Sequence, residues 1–202
     1  GPLLAAEAEL LHGMSAIHAL SQFTRGEIQR FHGLGDRVRV IPHWFRPQGT
    51  VRSRAEARAA LGWPADRPVF FTVRGLRPRY GVDVAIKALG PLLPEFDARF
   101  VIAGSGPLRA PLEALARTTA GSDRIAFLGA VTDQELELAY AAADLFILPT
   151  LELECFGLIT LEAFHMRCPV LSTDAGAIPE VMRPILPEMI VPAGDVMALR
   201  SR

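Results

Sequence analysis

Residues 145–162 read Leu145-Phe146-Ile147-Leu148-Pro149-Thr150-Leu151-Glu152-Leu153-Glu154-Cys155-Phe156-Gly157-Leu158-Ile159-Thr160-Leu161-Glu162. The uninterrupted apolar run Leu145–Leu148 suits a strand buried on both faces. Gly157 permits a close backbone approach or a special dihedral angle, and a helix is expected from Leu158 to Met166. Strand, loop and helix in this order form one unit of an α/β fold.

The same unit recurs on either side. Strands are expected at Val69–Val73, Arg99–Ala103, Arg124–Leu128 and Val170–Ser172. Val82, Ala85, Ile86 and Leu89 share a helical face, a helix should end near Thr118, and Thr132 with Glu135 forms a capping box for a helix to about Ala142. Short helices follow at Ile178–Met182 and from Asp195. The alternation predicts an α/β fold, an open parallel Rossmann-like sheet flanked by helices, whose ligands bind beyond the carboxyl ends of the strands.

Upstream, the pattern reads as a short helix, a strand at Ser15–Leu20, a helix capped by Ser21 and running through Phe31, and a strand at Arg37–Ile41. Pro42, Pro47 and Gly49 break the pattern, an Arg-rich helical stretch covers Val51–Leu61, and Gly62, Pro64 and Pro68 close it. We therefore expect residues 1–50 to be a partial domain and linker, and residues 51–202 to be the main domain. The chain begins Gly1-Pro2 and stops within its last expected helix, which reads as a cleaved or truncated piece of something larger.

Half of the 202 residues are hydrophobic and the formal charge is only -1, which suits a globular core and gives no support for a nucleic-acid partner. Lys87 is the only lysine, so an anion site here must use Arg, His or backbone N–H groups. Cys155 and Cys168 make no disulfide framework, and no His/Cys spacing suggests zinc. Without a signal peptide or a membrane-spanning apolar run, a cytoplasmic location is expected.

Four stretches carry candidate chemistry. In Glu154–Glu162, the amides of Leu158, Ile159 and Thr160 would lack partners in the first helical turn and so form an anion site suited to a diphosphate. Glu154 and Glu162 would then accept hydrogen bonds from sugar or ribose hydroxyls. Without context the plainer reading, a loop acid and an ordinary helix-surface acid, carries the greater weight. Arg74-Gly75-Leu76-Arg77-Pro78-Arg79-Tyr80-Gly81 places three arginines after a buried strand, either a diphosphate grip or a solvated basic loop. Gly104-Ser105-Gly106-Pro107 is too short for a dinucleotide fingerprint and reads as a tight turn near a ligand. Glu180, after Gly176 and Pro179, reads as a helix-start carboxylate with no role beyond capping, and His165 as a structural residue remote from the phosphate site.

Together these segments resemble glycosyltransferase family 4 (group 1), within the retaining GT-B enzymes. Val73-Arg74-Gly75-Leu76 with Arg79-Tyr80-Gly81 is similar to the family's first diphosphate loop, and Val101–Leu108 to its strand and Gly-x-Gly-Pro-Leu turn. Arg124–Ala130 resembles its Val-x-Phe-x-Gly segment, Pro149–Glu162 its Glu-x-Phe-Gly signature with a second Glu, and Pro169–Glu180 its Pro-Val…Gly-x-Pro-Glu segment. The likeness runs from about Leu20 to Leu199. It implies the donor-binding C-terminal half of a GT-B fold plus a remnant of the acceptor-side domain.

The resemblance also implies roles. Glu154 would hold hydroxyls of the transferred sugar, with Arg74 and Arg79 on the leaving diphosphate. Phe156, Gly157, Leu158 and Ile159 would present backbone groups, and Glu162 would bind the ribose. Phe127, Gly129 and Val131 would line the base pocket, and Gly104 and Gly106 would border the cleft. The donor would be a UDP- or GDP-linked sugar, with no metal or other cofactor. The acceptor, a glycan, lipid or small molecule, would be held by the other domain, compatible with peripheral membrane association of the full-length enzyme. The family places Arg where this chain has Gly75, and often Lys where it has Tyr80. In a preorganised site such a lost donor costs about 2.7–4 kcal/mol. The expected function is retaining sugar transfer in glycan biosynthesis, with this piece binding donor but inactive alone. The alternatives are a non-catalytic nucleotide-sugar-binding scaffold and a nucleotide-sugar epimerase of the same architecture. A two-carboxylate double displacement is disfavoured, since helical rise sets Glu162 about 7.5 Å beyond Gly157.

Overall fold

The computed structural model describes residues 2–46 and 49–202, with side chains from Leu4 onward. Gly1 and the expected breaker Pro47 lie outside the described residues.

The first sheet is a parallel pair, β1 (Ile17–Ala19) and β2 (Val38–Val40), with α1 (Pro2–Gly13) before it and α2 (Gln22–His32) between its strands. Only the middle of each expected strand pairs. The Ser21 hydroxyl caps α2 by accepting from the Thr24 amide, as its place before the helix predicts. Ile17, Ala19, Leu34 and Val38 form a small core of their own.

The second sheet has six parallel strands: β3 (Val69–Val73), β4 (Arg99–Ala103), β5 (Ile125–Gly129), β6 (Leu145–Leu148), β7 (Val170–Thr173) and β8 (Ile190–Val191). Their spatial order is β5-β4-β3-β6-β7-β8. The short β8 was not expected, because two residues show no periodicity. α3 (Arg54–Leu61) precedes this sheet, and α4 (Val82–Leu89), α5 (Arg109–Arg117), α6 (Asp133–Ala142), α7 (Leu158–His165), α8 (Ile178–Met182) and α9 (Val196–Arg200) follow its strands.

Both faces of the sheet are buried, which is why its strands lack polar alternation. Phe100, Ile102 and Ile147 pack with Ile86, Leu89 and Leu112 on one face. Val101, Phe146 and Leu148 pack with Tyr140, Ala163 and Ile178 on the other. The capping box at Thr132 and Glu135 forms as expected, and a second joins Ser53 to Glu56 at the start of α3. α3 is bolted to the sheet by buried Arg58, which donates to the carbonyls of Ala142 and Ala65 and to the Asp144 carboxylate.

Strand order reverses between β3 and β6. Chains leave those two strands in opposite lateral directions and open a crevice at their carboxyl ends, the place where open α/β sheets bind ligands.

Candidate functional site

Arg74 directly follows β3 and Thr150 follows β6, so the two stand on either side of that crevice. Arg74 Nη2 donates to Thr150 Oγ1 and, at 2.7 Å, to Glu154 Oε2. The Arg74 side chain is only 9% exposed and that of Glu154 18%, so this is a largely desolvated ion pair. Arg74 Nε is buried with no partner among the described residues. Thr150 had drawn no attention in the sequence; its place just past a buried strand was the available signal.

The loop after β3 is held against its neighbours by backbone contacts. The Leu76 amide donates to the Ser105 carbonyl, the Leu108 amide to Leu76, and the Leu151 amide to Arg79. Gly104 and Gly106 permit this approach. A Cβ on Gly104 would lie 1.9 Å from the Arg74 carbonyl oxygen, and one on Gly106 would lie 2.4 Å from that of Leu76. These glycines therefore press two loops together at the crevice rim.

Tyr80 sits among the arginines. The Arg74 guanidinium lies 5.0 Å from its ring centroid and that of Arg79 4.6 Å, and Arg79 Nη2 donates to its hydroxyl.

α7 opens at Gly157, and no acceptor is found for the Leu158 and Ile159 amides among the described residues. Thr160 corrects the expectation of three free amides: its N–H donates to the Gly157 carbonyl at 2.9 Å as the first turn tightens. Its buried hydroxyl has no partner among the described residues. Glu162 accepts from the Tyr140 hydroxyl at 3.3 Å. Burial pushes the Glu162 carboxyl above 4.5, although the Tyr140 hydrogen bond pulls the other way.

Glu162 and Leu158 line a cleft of about 480 Å³ with Asp133, Tyr140, His165 and the segment His43–Arg46. His165, expected to be structural and remote from the phosphate site, lines this cleft beside Glu162. Its ring meets Phe45 edge-on at 5.8 Å, and its Nε2 is buried without a partner among the described residues. One helical turn separates positions 162 and 165, so both face one side of α7. Phe156 lies with its ring 6.4 Å from that of His43.

The residues expected to line the base pocket lie at the end of β5 and just after it. Phe127 packs with the cluster around Ile102 and Leu112, while Val131 packs with the cluster on the opposite face, and Gly129 is buried at the end of β5. Glu180 corrects its reading as a cap of its own helix. Its carboxylate accepts from the amides of Gln22 and Phe23, at 2.9 and 2.7 Å, and so caps α2 from far along the chain.

Among the described residues no group of three His, Cys, Asp or Glu side chains is placed to hold a metal ion, and no helix is long and apolar enough to cross a membrane. Both cysteines are free. Burial pushes the Cys168 thiol up to about 12, which leaves it inert as a nucleophile.

Against known protein families, residues 53–202 match the model described as glycosyl transferases group 1. The chain belongs to that family. A GDP-mannose-dependent alpha-(1-6)-phosphatidylinositol monomannoside mannosyltransferase of Mycobacterium tuberculosis is 29% identical over 85% of this chain and 47% of its own length. A GDP-mannose-dependent monoacylated alpha-(1-6)-phosphatidylinositol monomannoside mannosyltransferase of Corynebacterium glutamicum is 33% identical over 75% of this chain and 41% of its own. In fold, the crystal structure of Anabaena Alr3699/HepE with UDP and glucose superposes with a TM-score of 0.83 at 21% identity, covering 98% of this chain and 55% of that one. The group 1 chain thus spans about half the length of the relatives it matches, and its sheet is the C-terminal half of the GT-B glycosyltransferase fold.

Proposed function

We propose that this chain supplies the donor side of a retaining glycosyl transfer, holding a nucleoside-diphosphate sugar while an acceptor-side domain presents a hydroxyl. One observation carries the reading. At the reversal of strand order, a largely buried arginine pairs with Glu154 yet keeps an Nε with no partner among the described residues, and the loop that carries Glu154 runs into the start of α7, where no acceptor is found among the described residues for the Leu158 and Ile159 amides. Buried polar atoms without partners are rare in folded proteins, and here they suit an anionic ligand.

In the proposed reaction the bond between the anomeric carbon and the β-phosphate oxygen breaks, and the acceptor oxygen bonds to that carbon on the same face. The acceptor's proton passes to a leaving phosphate oxygen. Charge grows on the diphosphate, where Arg74, Arg79 and the Leu158 and Ile159 amides stabilise the transition state more than the ground state. Glu154 orients the transferred sugar and Glu162 the ribose. The relatives named as GDP-mannose-dependent make a GDP-linked sugar the first donor to test.

Calorimetric titration of the chain with GDP-mannose and UDP-glucose tests the donor role, and the same samples with a simple mannoside acceptor test transfer. Saturable binding without transfer is the expected result. Transfer by this chain alone refutes its dependence on the other domain, and the absence of any nucleotide binding overturns the reading.

A further inference from the structure

Gly75 and Tyr80 both depart from the family pattern, and in the structure they touch. A Cβ on Gly75 would lie 3.1 Å from Tyr80 Cε2 and 3.6 Å from its Cδ2. The backbone does not explain the glycine, because Gly75 is not among the positive-φ residues. What the missing side chain supplies is room for a half-buried ring.

That ring stands between two guanidiniums. Arg74 lies over it at 5.0 Å and Arg79 at 4.6 Å, with Arg79 also donating to its hydroxyl. Two like charges near one site repel each other, and an aromatic face attracts each by its quadrupole while restricting where it sits. Arg74 is further fixed by Thr150 and Glu154. Arg79 has no acid partner among the described residues, so Tyr80 is the side chain that restrains it.

We propose that Tyr80 is a positioning residue that clamps the Arg74 and Arg79 guanidiniums into the crevice for the diphosphate, and that Gly75 is the space its ring requires. This rests on the donor-site reading and deepens it: two separate losses become one substituted device. A Cβ at position 75 would press on the ring at position 80 at 3.1 Å, so a side chain there would shift the ring by a few tenths of an ångström and loosen the clamp.

The test is binding of GDP and UDP against GMP and UMP by calorimetry on the chain, with circular dichroism melts of each variant. Tyr80→Ala is expected to weaken the diphosphates about two- to thirty-fold, the span of cation–π attraction, while the monophosphates move far less. Tyr80→Phe keeps the ring and retains most of the affinity. Gly75→Arg alone weakens diphosphate binding, and Gly75→Arg with Tyr80→Lys recovers it. A merely structural role would lower the melting point and weaken all four nucleotides alike. If the unaltered chain prefers the diphosphates and folded Tyr80→Ala binds them equally well, the clamp is refuted. If the unaltered chain shows no diphosphate preference, the donor-site reading fails and takes the clamp with it.

Discussion

The guanidinium of Arg74 and the carboxylate of Glu154 meet at 2.7 Å across the crevice between β3 and β6, although 80 residues separate them in the chain. The contact joins the two loops that bound the crevice.

Removing one member of this pair leaves the other buried and uncompensated. Arg74→Met should destabilise the fold by about 3–5 kcal/mol, the range for breaking a buried ion pair. Glu154→Gln keeps a hydrogen-bond acceptor for Arg74 and should cost less. Chemical denaturation measures both, and an unchanged midpoint for Arg74→Met contradicts the pairing.

Burial holds the Glu162 carboxyl above 4.5, and the negative charge of Asp133 adds to the effect, while the Tyr140 hydroxyl and Arg74 oppose it. A group with a raised folded-state value binds its proton more tightly when folded. Its favourable contribution is therefore present below pH 4.5 and is lost as pH rises through the higher folded value. Glu162→Gln should remove that loss. The variant is expected to gain stability relative to the unaltered chain as pH rises from 4 to 7. Thermal melts across that range decide it; parallel curves for the two proteins contradict the assignment.

Glu180 ties the six-stranded domain to α2, and the Ala177 amide nearby donates to the Glu154 carbonyl at 2.8 Å. The segment from Ala177 to Glu180 thus touches both the candidate sugar-binding acid and the N-terminal piece. Glu180→Ala should cost about 0.5–2 kcal/mol of capping stabilisation in α2. Amide hydrogen exchange should quicken at Gln22 and Phe23 while amides in β3 and β4 keep their protection. Unaltered exchange at those two amides shows that the clasp does not persist in solution.

Arg167 lies just past α7 in the left-handed region, at φ 61. The Cys168 amide reaches back to the Ala163 carbonyl at 2.9 Å, the closing bond of a Schellman turn. A glycine would adopt this conformation without strain, whereas a side chain there costs about 1–2 kcal/mol. Arg167→Gly should stabilise the fold by close to that amount and so raise the denaturation midpoint. A lower midpoint means that the Arg167 side chain outweighs its backbone strain.

The parallel sheet, its flanking helices and most element bounds were legible in the sequence because they follow from local causes. Apolar runs such as Leu145–Leu148, the caps at Ser21 and Thr132, and the breaker Gly62 act within a few residues. The acids and arginines of the site could be singled out because they follow strands, where an α/β sheet presents its ligand-binding edge. Their partners could not. Thr150 beneath Arg74, Tyr140 on Glu162, His165 beside Phe45, Glu180 at α2 and the Tyr80 ring over Gly75 arise from strand order and helix packing. Those contacts join positions that no local periodicity relates, so only the folded arrangement decided which charges are paired and which rings and loops meet.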